Sequence, residues 1–513
     1  MPARVAGAIE AVACERATIE SGTSARELMQ RAGYAAAAEI AERLSDRMVH
    51  GVAILTGPGN NGGDGWVVAR ALADRGLRVT AFQVAPPKTA DAMAAREAAA
   101  ASAAVVIEEP SEAAWDGNGV IIDALLGTGS TGLPAGAIAA GVQTINDGRA
   151  NGLTVVSLDL PTGIDPTTGS HGECVCADLT LAFGTAKRAH LVARHLCGEV
   201  VVVDIGLERA GSITALPLLV DRDWVAARVP AISAMAHKGT RRQVAIVGGG
   251  HRMAGAAILA GEAALRSGIG LLRIVVAPGN ATSIHAALPA AIVHEWPETP
   301  DDIRILTNAA DAIAIGPGLG RSNTTRDLVE RLLLAWRGPV VLDADALNVF
   351  EEDLTSLGTL LSGRPALITP HPAEAARLLG VSTSAILDQR FDVGVELARE
   401  IGATVLLKGT PTVISSPSGE RYVSAAGTAA LATGGSGDVL TGIAVTLLAQ
   451  TTERDLAAIA AACAAFVHGR AAEICGMVRG TTLDDILRAL PHAWNERHVA
   501  AKPGVLAVIP RVR

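Results

Sequence analysis

Apolar positions first recur at helical spacing, and apolar strands that end in glycine-rich loops then follow. Between residues 24 and 44 an apolar side chain returns every three or four positions with arginine and glutamate between, which predicts an amphipathic helix. The apolar run 51–56 predicts a buried strand, and 66–75 predicts the next helix. A strand, a glycine-rich loop and a helix in this order are typical of a doubly wound sheet that binds a nucleotide phosphate at the loop.

Two further apolar strands of the first half end in an aspartate, Asp123 and Asp159. A carboxylate is expensive to bury without a partner, so each is expected to meet a cation or a hydrogen-bond network. The carboxyl ends of parallel strands lie at one edge of a sheet, where such sheets bind ligands. We therefore expect both aspartates beside the first glycine-rich loop. For Asp159 a turn-forming role before Pro161 stays open.

The strand pattern stops after residues 198–205, and the Gly/Ser/Pro-containing stretch 206–217 predicts a linker. We place the division between a first domain, 1–213, and a second domain, 214–513. The second half predicts another parallel sheet, because a series of apolar strands recurs and the last three of them end in polar groups. These strands are 243–247, 271–276, 312–315, 340–343, 366–369 and 404–408.

The stretch 432–442 follows this series with three glycines within four positions, the acid Asp438 and an apolar run. The pattern predicts a tight loop that feeds a helix, whose backbone N–H groups and peptide dipoles form a site for an anion such as a phosphate. Asp438 beside this anion would accept a proton or help hold a metal ion, as phosphoryl transfer requires. A simple helix-capping role for Asp438 stays open.

Composition agrees with two α/β domains and disfavours some partners. A chain of 513 residues is too long for one ordinary core, and 49% hydrophobic residues with 55 glycines and only 3% aromatics suit parallel strands and their turns. The formal charge of −9 argues against a nucleic-acid or anionic-membrane surface. The six cysteines lack zinc or disulfide-framework spacing, no leader pattern begins the chain, and we expect no segment of membrane-spanning length. We therefore expect a cytoplasmic protein.

Two common nucleotide-binding classes are disfavoured. The glycines Gly57, Gly59 and Gly62 fit the GxGxxG spacing, but the following strand, 77–84, does not end in the acid that holds a ribose in NAD-dependent dehydrogenases. The glycine-rich loop 248–255 has no lysine where a P-loop needs one. The sequence therefore predicts neither an ordinary dehydrogenase nor a Walker A site.

The polar loop residues of the first half resemble a known family. The sequences NNGGDG at 60–65, GTGSTG at 127–132 after the Asp123 strand, and SLDLPTGID at 157–165 are similar to the motifs of the NAD(P)H-hydrate epimerase domain, a YjeF-type N-terminal domain. The resemblance implies a Rossmann-like domain that binds hydrated NAD(P)H and a potassium ion. Such a domain interconverts the R and S epimers at the hydrated ring carbon.

Carried over by motif, this resemblance implies potassium ligands Asn61, Asp123 and Thr162, with Asp159 as the acid/base. The family usually has serine at the position of Thr162; a hydroxyl remains, so we expect the ion site to survive. The substrate would be held by Asp159 and two loops, whose residues are Asn60, Asn61, Gly62, Gly63, Asp64, Gly127, Thr128, Gly129, Ser130, Thr131, Gly132 and Leu133.

The second half, from the glycine-rich start of its first helix to GGSGD, resembles the ribokinase-like fold and in detail NAD(P)H-hydrate dehydratase. That family uses ADP in bacteria and ATP in eukaryotes to phosphorylate the ring hydroxyl of the S epimer. Elimination of phosphate then restores NAD(P)H. The resemblance implies Mg²⁺ with ADP as the phosphoryl donor, and AMP and phosphate as products.

By motif, Asp438 would take the proton of the hydroxyl. The hydrate would contact Ala256, Gly318, His371 and Asp438, and the nucleotide would contact Lys408, Gly409, Thr410, Pro411, Thr412 and Gly437. Alternatives stay open at two of these positions, a satisfied core histidine for His371 and a solvated strand end for Lys408.

One residue of the second half departs from the family pattern, and two acids have alternative roles. The family usually has glycine at the position of Ala373; if that glycine has a positive φ, alanine costs about 1 kcal/mol and shifts the His371 loop. Asp343 and Asp345 either help to hold magnesium or cap a turn.

The two resemblances cover nearly the whole chain and favour one hypothesis. It is a bifunctional repair enzyme with small-molecule substrates, NADHX, NADPHX and ADP, and without nucleic-acid or membrane partners. One alternative is a ribokinase-like kinase of the hydroxymethylpyrimidine type with an accessory nucleotide-binding domain, which leaves residues 1–205 unexplained. Another is a non-catalytic nucleotide-binding regulator, against which the intact acids and lysine count. Family members commonly associate, which implies a homo-oligomer.

Overall fold

The computed structural model describes residues 2–108, 117–207, 211–451, 456–496 and 502–512. The chain forms two compact units. The first comprises the described residues of Met1–Leu218 together with those of Val499–Val512, and the second comprises those of Leu219–His498. Part of the predicted linker, 208–210, lies outside the described residues, and Gly211–Ala215 within it forms a short 3₁₀ helix.

The described strands are, in chain order, β1 (Val5–Ala6), β2 (Val52–Thr56), β3 (Val79–Gln83), β4 (Val105–Glu108), β5 (Val120–Ala124), β6 (Thr154–Leu158), β7 (Leu179–Phe183), β8 (Ala186–Lys187), β9 (Glu199–Val203), β10 (Leu218–Leu219), β11 (Gln243–Val247), β12 (Leu271–Val276), β13 (Ile292–Glu295), β14 (Ala312–Ile315), β15 (Val340–Leu342), β16 (Ala366–Ile368), β17 (Thr404–Leu407), β18 (Thr412–Ser415), β19 (Arg421–Ser424) and β20 (Val505–Ile509).

The described α-helices are α1 (Ala8–Glu20), α2 (Ala25–Arg43), α3 (Ser45–Met48), α4 (Asn60–Ala73), α5 (Ala90–Ala100), α6 (Ala137–Ala150), α7 (Arg188–Val192), α8 (Arg194–Cys197), α9 (Arg222–Ala226), α10 (Ala254–Arg266), α11 (Ala281–Ala287), α12 (Pro300–Thr307), α13 (Asn323–Ala335), α14 (Asp345–Asn348), α15 (Leu354–Leu361), α16 (Pro372–Leu379), α17 (Thr383–Asp388), α18 (Val393–Ile401), α19 (Ser436–Gln450), α20 (Leu456–Ile474) and α21 (Leu483–Trp494).

The first unit is built on one sheet with the strand order β20-β9-β7-β6-β5-β2-β3-β4. Neighbours from β9 to β4 are parallel, and β2 aligns Ile54 with Ile122 of β5. Alternate residues of β2 face opposite cores: Ile54 packs in the core that contains α2 and α4, whereas Leu55 packs in the core that contains α6. The doubly wound sheet predicted from the sequence is therefore confirmed.

Strand β20 joins this sheet although it follows the whole second unit in the chain. It pairs antiparallel with β9, where Ile509 lies opposite Val200. The adjoining residues hold it further, because Arg194 Nη2 donates to Pro510 O at 2.6 Å and Lys502 Nζ lies 2.5 Å from Glu42 Oε2. The sequence division after residue 213 did not predict this return of the chain.

The second unit contains a larger mixed sheet, in which the order from β19 onward is β19-β18-β17-β16-β15-β14-β11-β12-β13. The pairs from β17 to β13 are parallel, and β18 pairs antiparallel with both β17 and β19. Parallel strands end at the same edge, so Gly248, Gly316, Asp343 and Lys408, each following a strand, gather there. This edge carries the second candidate site.

Helix α4 begins at Asn60, earlier than the predicted start at residue 66. The glycines of NNGGDG lie in its first turns without a positive φ, and they permit close packing. A Cβ on Gly62 would lie 2.0 Å from Gly57 O, and one on Gly65 would lie 2.5 Å from Ala124 Cβ. The prediction of a loop at this position is therefore wrong, because these glycines serve backbone approach rather than backbone freedom.

Helix α20 is long and apolar enough to cross a membrane by length and composition alone, with a mean hydropathy of 1.3. The expectation that no segment reaches this length is therefore wrong. However, 83% of the apolar window is buried within the protein, as in the core helix of a folded domain.

The close contact between α10 and α19 gives a testable prediction of stability. A Cβ on Gly442 of α19 would lie 2.0 Å from Ala260 O of α10, whereas one on Gly255 of α10 meets nothing within 4 Å. Gly442→Ala should therefore destabilise the second unit by about 3 kcal/mol, because two backbones would be forced apart. Gly255→Ala should leave stability unchanged or slightly raised. Denaturant unfolding of both variants checks this, and equal stabilities would contradict it.

Candidate active sites

The first unit buries three oxygen-bearing side chains around the turn after β5. Asp123 is 0% exposed; its Oδ1 accepts a hydrogen bond from Thr162 Oγ1 at 2.7 Å, and its Oδ2 accepts one from Thr162 N at 2.8 Å. Asn61 Nδ2 donates to Leu126 O at 3.0 Å, and Leu126 N donates to Thr162 Oγ1 at 3.0 Å. The structure thus brings together Asn61, Asp123 and Thr162, the three residues predicted to bind potassium.

Two features of this cluster favour a bound cation. Asn61 Oδ1 is buried and has no hydrogen-bond partner among the described residues, and an unsatisfied buried acceptor costs roughly 1–3 kcal/mol. Burial also raises the pKa of Asp123, against the hydrogen bonds from Thr162. A cation with oxygen ligands would satisfy the amide oxygen and favour the charged carboxylate. The residues present therefore fit a potassium ion.

Asp159 follows β6 and is held by donors from three segments. Its φ of 63° lies in the left-handed region, which is uncommon for a residue other than glycine. Its Oδ2 accepts hydrogen bonds from Thr128 N at 3.1 Å and Thr128 Oγ1 at 2.5 Å. Its Oδ1 accepts from Phe183 N at 3.3 Å and from Lys187 Nζ. The aspartate is therefore more than the turn-forming residue that the sequence left open.

Lys187 is the buried residue of this site that the sequence reasoning missed. Its side chain is only 1% exposed, and its ammonium donates to Asp159 Oδ1, to Phe183 O at 3.1 Å and to Thr185 O at 3.2 Å. Burial alone would raise the pKa of Asp159, but the charge and hydrogen bond of Lys187 outweigh burial and lower it. The available signal was a lysine closely following an apolar strand, since a buried lysine requires a partner.

The pKa values of two other acids near Asp159 are raised, whereas that of Asp159 is lowered. Burial raises the pKa of Asp64 well above its usual value, and the charges of Asp159 and Glu15 raise it further. Burial, followed by the charge of Asp159, also raises the pKa of Glu15. Glu15 lies on α1, where no sequence motif marked it. Asp159, Asp64, Glu15 and Lys187 therefore form one cluster of three acids and one lysine.

The predicted substrate loop 127–133 runs from the buried site to the surface. Thr128 is buried against Asp159, whereas Leu133 is 69% exposed. The loop begins against the start of α4, because a Cβ on Gly127 would lie 3.2 Å from Asn61 Cβ. The hydroxyl of Ser130 closes the turn by donating to Gly127 O at 2.7 Å. The structure therefore brings the start of this loop beside residues 60–64.

In the second unit, the GGSGD stretch forms the start of α19. Gly435 is the N-cap with a φ of 91°, a conformation that glycine adopts without strain. The N–H groups of Gly437 and Asp438 lie in the first turn, where they have no hydrogen-bond acceptor within the described part of the chain. Free N–H groups and the helix dipole favour a bound anion. Two free donors thus lie where the sequence predicts a phosphate.

Asp438 lies beside a network that Asp343 organises. Asp343 Oδ1 accepts from Lys408 Nζ at 2.8 Å, and its Oδ2 accepts from Thr441 Oγ1 at 2.8 Å. Burial raises the pKa of Asp438 to about 7; the charge of Asp343 raises it and that of Lys408 lowers it. A carboxyl with such a pKa exchanges protons readily near neutral pH.

Lys408 is a largely buried partner of acids rather than a solvated strand end. Its side chain is 19% exposed and its Nζ lies 3.7 Å from Glu374 Oε2. Burial would lower the pKa of Lys408, but the charges of Asp343 and Glu374 outweigh this effect and raise it. Lys408 therefore keeps its positive charge. A Cβ on Gly437 would lie 3.3 Å from Lys408 Nζ, so the lysine reaches the start of α19.

The rest of the predicted nucleotide loop follows Lys408 at the surface. Lys408 N donates to Pro370 O at 2.9 Å, and Thr412 Oγ1 donates to Gly409 O at 3.0 Å. Thr410 O accepts a hydrogen bond from Arg390 Nη1 at 2.9 Å. Gly409 and Thr410 are exposed, whereas Pro411 is buried.

Asp343 and Asp345 are both engaged by protein groups. The oxygens of Asp343 accept from Lys408 and Thr441. Asp345 Oδ2 accepts from Gly320 N at 2.8 Å, and its Oδ1 lies 3.5 Å from Arg321 Nε. The geometry therefore gives both aspartates structural partners.

His371 is the N-cap of α16. Its Nδ1 accepts hydrogen bonds from Ala373 N at 3.1 Å and Glu374 N at 3.2 Å, and burial lowers its pKa. The ring is half-buried rather than a core histidine, and its Nε2 lies 3.5 Å from Glu374 Oε1. Ala373 lies in the first helical turn without a positive φ, so alanine brings no strain here.

Ala256 and Gly318 are adjacent. Gly318 has a φ of 60°, and a Cβ there would lie 2.9 Å from Ala256 Cβ. The loop after β11 is tied to the same place, because Gly250 N donates to Gly318 O at 2.6 Å and Asn280 Nδ2 donates to Gly250 O at 3.0 Å. Within the described part of the chain, no hydrogen bond joins this pair directly to His371.

Family models match both halves of the chain. The NAD(P)H-hydrate dehydratase model matches residues 244–492, and the YjeF-related protein N-terminus model matches residues 25–189. The second match accounts for the part of the chain that a hydroxymethylpyrimidine-type kinase leaves unexplained. That alternative and the non-catalytic regulator are therefore not favoured.

Individual relatives resemble the chain over most of its length. The bifunctional NAD(P)H-hydrate repair enzyme Nnr of Coxiella burnetii is 35% identical over 90% of this chain and 92% of its own. The enzyme of the same name from Escherichia coli is 35% identical over 92% and 90%. Among solved structures, an ADP/ATP-dependent NAD(P)H-hydrate dehydratase from Bacillus subtilis, co-crystallised with ATP and Mg²⁺, is 31% identical over 53% of this chain and 95% of that chain, with a TM-score of 0.46. The chain belongs to the family of bifunctional NAD(P)H-hydrate repair enzymes, which join an epimerase to a dehydratase.

Proposed function

We propose that residues 1–213 carry the epimerase and residues 214–513 carry the ADP-dependent dehydratase. One observation carries this assignment: at the carboxyl edge of each sheet, a catalytic aspartate lies beside a lysine that is largely removed from solvent. Asp159 pairs with Lys187 in the first unit, and Asp438 lies beside Lys408 in the second. The substrates are the R and S epimers of NADHX and NADPHX.

In the epimerase, residues 60–64 and 127–133 hold the hydrate and Asp159 is the catalytic carboxylate. Hydration of the reduced ring places a hydroxyl on a carbon that is bonded to the ring nitrogen. Such a carbon loses its hydroxyl when the nitrogen lone pair forms a second bond to it, and water then adds to the other face. A carboxylate beside the ring stabilises this positively charged intermediate.

A potassium ion fits Asn61, Asp123 and Thr162, where it would supply positive charge to the oxygen cluster. The unpaired Asn61 Oδ1 supports this proposal. The same residues fix Leu126, which precedes the substrate loop, so the cluster also orients that loop.

In the dehydratase, Lys408–Thr412 and Gly437 hold ADP, while Ala256, Gly318 and His371 hold the S hydrate. Asp438 takes the proton of the ring hydroxyl while the oxygen of that hydroxyl attacks the terminal phosphoryl group of ADP. The free N–H groups of Gly437 and Asp438 stabilise the transferring phosphoryl. Loss of phosphate and a ring proton then restores NAD(P)H, and AMP is released. Mg²⁺ would accompany the nucleotide and neutralise phosphate charge.

We also propose a cytoplasmic homo-oligomer. Six cysteines, Cys14, Cys174, Cys176, Cys197, Cys463 and Cys475, are free thiols, which supports a reducing compartment. Members of the family commonly associate, which supports the homo-oligomer. Sedimentation of the purified chain measures its oligomeric state.

The direct test is recovery of reduced-nicotinamide absorbance from mixed R and S NADHX, with Mg²⁺, K⁺ and either ADP or ATP. Full recovery requires both activities, and the productive nucleotide identifies the phosphoryl donor. Recovery that stops at the S fraction would contradict the epimerase assignment. Absence of recovery with either nucleotide would contradict the dehydratase assignment.

Asp438→Asn should abolish dehydration and leave epimerisation unchanged, because the amide cannot accept the hydroxyl proton. Asp159→Asn is the reciprocal variant, and it should abolish epimerisation while the S epimer is still dehydrated. We expect losses of at least about 100-fold in each affected rate. Dehydration by Asp438→Asn at a near wild-type rate would show that another group is the base.

The dehydration rate should rise with pH through about 7 and then level off, because Asp438 must lose its proton to act as a base and its pKa is about 7. The charge of Lys408 lowers this pKa, so Lys408→Met should move the limb to higher pH, whereas Lys408→Arg should keep it. The pH dependence of kcat at saturating nucleotide measures both. A flat wild-type profile between pH 5.5 and about 8.5 would contradict the assignment.

Thr162→Val should lower epimerisation at least about 10-fold and weaken its potassium dependence, because valine keeps the shape but removes the hydroxyl that contacts Asp123. The matched control is Thr162→Ser, which keeps the hydroxyl and should retain activity. Potassium titrations of both variants, with dehydration of the S epimer as an internal reference, check this. Equal activities of the valine and serine variants would rule out the hydroxyl as a ligand.

A further inference from the structure

Asp159 has no acceptor position left for a proton. Each of its oxygens already accepts two hydrogen bonds, Oδ1 from Phe183 and Lys187, and Oδ2 from the amide and hydroxyl of Thr128. A carboxylate oxygen has about two lone-pair positions, so this set saturates the group. The carboxylate is therefore built to remain charged.

The ammonium donors of Lys187 are likewise all engaged in hydrogen bonds. Its three N–H donors are directed to Asp159, Phe183 O and Thr185 O, so none remains for a substrate. His190 fixes the pair from behind: its Nδ1 accepts from Lys187 N at 2.9 Å, and its Nε2 donates to Asp159 O at 2.9 Å. Burial lowers the pKa of His190 to about 3, which keeps the ring neutral and suits this arrangement. The left-handed backbone of Asp159 is thereby held in place.

Unlike Asp159, Asp64 has acceptor positions left for a proton. It is buried in the first turns of α4, within the segment 60–64 proposed to hold the substrate. Its carboxyl makes no hydrogen bond with a described residue, so its oxygens are free to meet a ligand. Asp159, Glu15 from α1 and Lys187 are the charged groups that face it.

We propose that Asp64 is the proton carrier of epimerisation and that Lys187 is a positioning residue, which fixes Asp159 as the counter-anion of the positively charged ring. This inference rests on the proposed epimerase function. It separates two roles that one acid/base residue would otherwise combine.

Epimerisation begins with loss of the hydroxyl group of the hydrate as water. Asp64 gives its proton to the hydroxyl oxygen; the carbon–oxygen bond breaks with its electron pair staying on oxygen, and water leaves. The ring-nitrogen lone pair forms a second bond to the carbon, and the resulting positive charge lies beside the Asp159 carboxylate. Water adds to the other face of that carbon, the carbon–nitrogen electron pair returns to nitrogen, and the proton lost by the water restores Asp64.

The test uses the full chain without nucleotide, so that only epimerisation of isolated S NADHX is followed, by chromatography of the two epimers. Asp64→Asn should lower the rate at least about 100-fold, and added formate should restore part of the rate of Asp64→Ala. The matched control is Asp74→Asn at the C-cap of the same helix; the side chain of Asp74 is 54% exposed, and the variant should keep the wild-type rate.

The positioning role of Lys187 is tested by the pH dependence of the epimerisation rate in Lys187 variants. In Lys187→Met the pKa of Asp159 is no longer held low, so the rate should fall as pH decreases through a new acidic limb; Lys187→Arg should keep the wild-type profile. A purely structural lysine would lower the rate without changing its pH dependence. Thermal unfolding and dehydration of the S epimer report whether each variant is folded.

The outcomes separate the two levels of the proposal. Wild-type protein that fails to epimerise overturns the epimerase function itself. If wild type epimerises but Asp64→Asn stays within threefold of it, or formate fails to rescue Asp64→Ala, Asp64 is not the proton carrier. An unchanged pH profile in a folded Lys187→Met variant removes the positioning role of the lysine.

Discussion

Both sites depend on negative charge that stays inside the protein because a lysine lies against it. Lys187 donates to Asp159, and Lys408 donates to Asp343. The consequences differ with geometry: Asp159 is itself paired and its pKa is lowered, whereas Asp438 stands beside a pair formed by others and its pKa rises to about 7. One kind of interaction thus yields a permanent charge in the first unit and a proton-exchanging group in the second.

Much of this arrangement is predictable from sequence because parallel sheets bring their carboxyl ends to one edge. The acids at the carboxyl ends of β5 and β6 were expected beside the first glycine-rich segment, and the structure places Asp123 and Asp159 there through contacts with Thr162 and Thr128. The sheet in each unit follows from apolar runs buried on both faces. Local pattern and topology together determine these features, so no distant contact had to be known.

The features that sequence reasoning missed depend on contacts between segments that are far apart in the chain. Glu15 reaches the site from α1, and strand β20 pairs with β9 across some 300 residues of sequence. The start of α4 was placed too late because asparagine and glycine favour loops, yet here the glycines are required by backbone packing against Gly57 and Ala124. In each case tertiary packing decides what local preference leaves open.

The pairing of β20 with β9 also has a consequence for biosynthesis. A ribosome makes the chain from its N-terminus, so Val505–Ile509 is translated after the sequence of the whole second unit. Until then, one side of β9, Glu199–Val203, presents N–H and C=O groups that have no strand to pair with. The epimerase sheet therefore receives its last edge strand only when translation of the dehydratase sequence is complete.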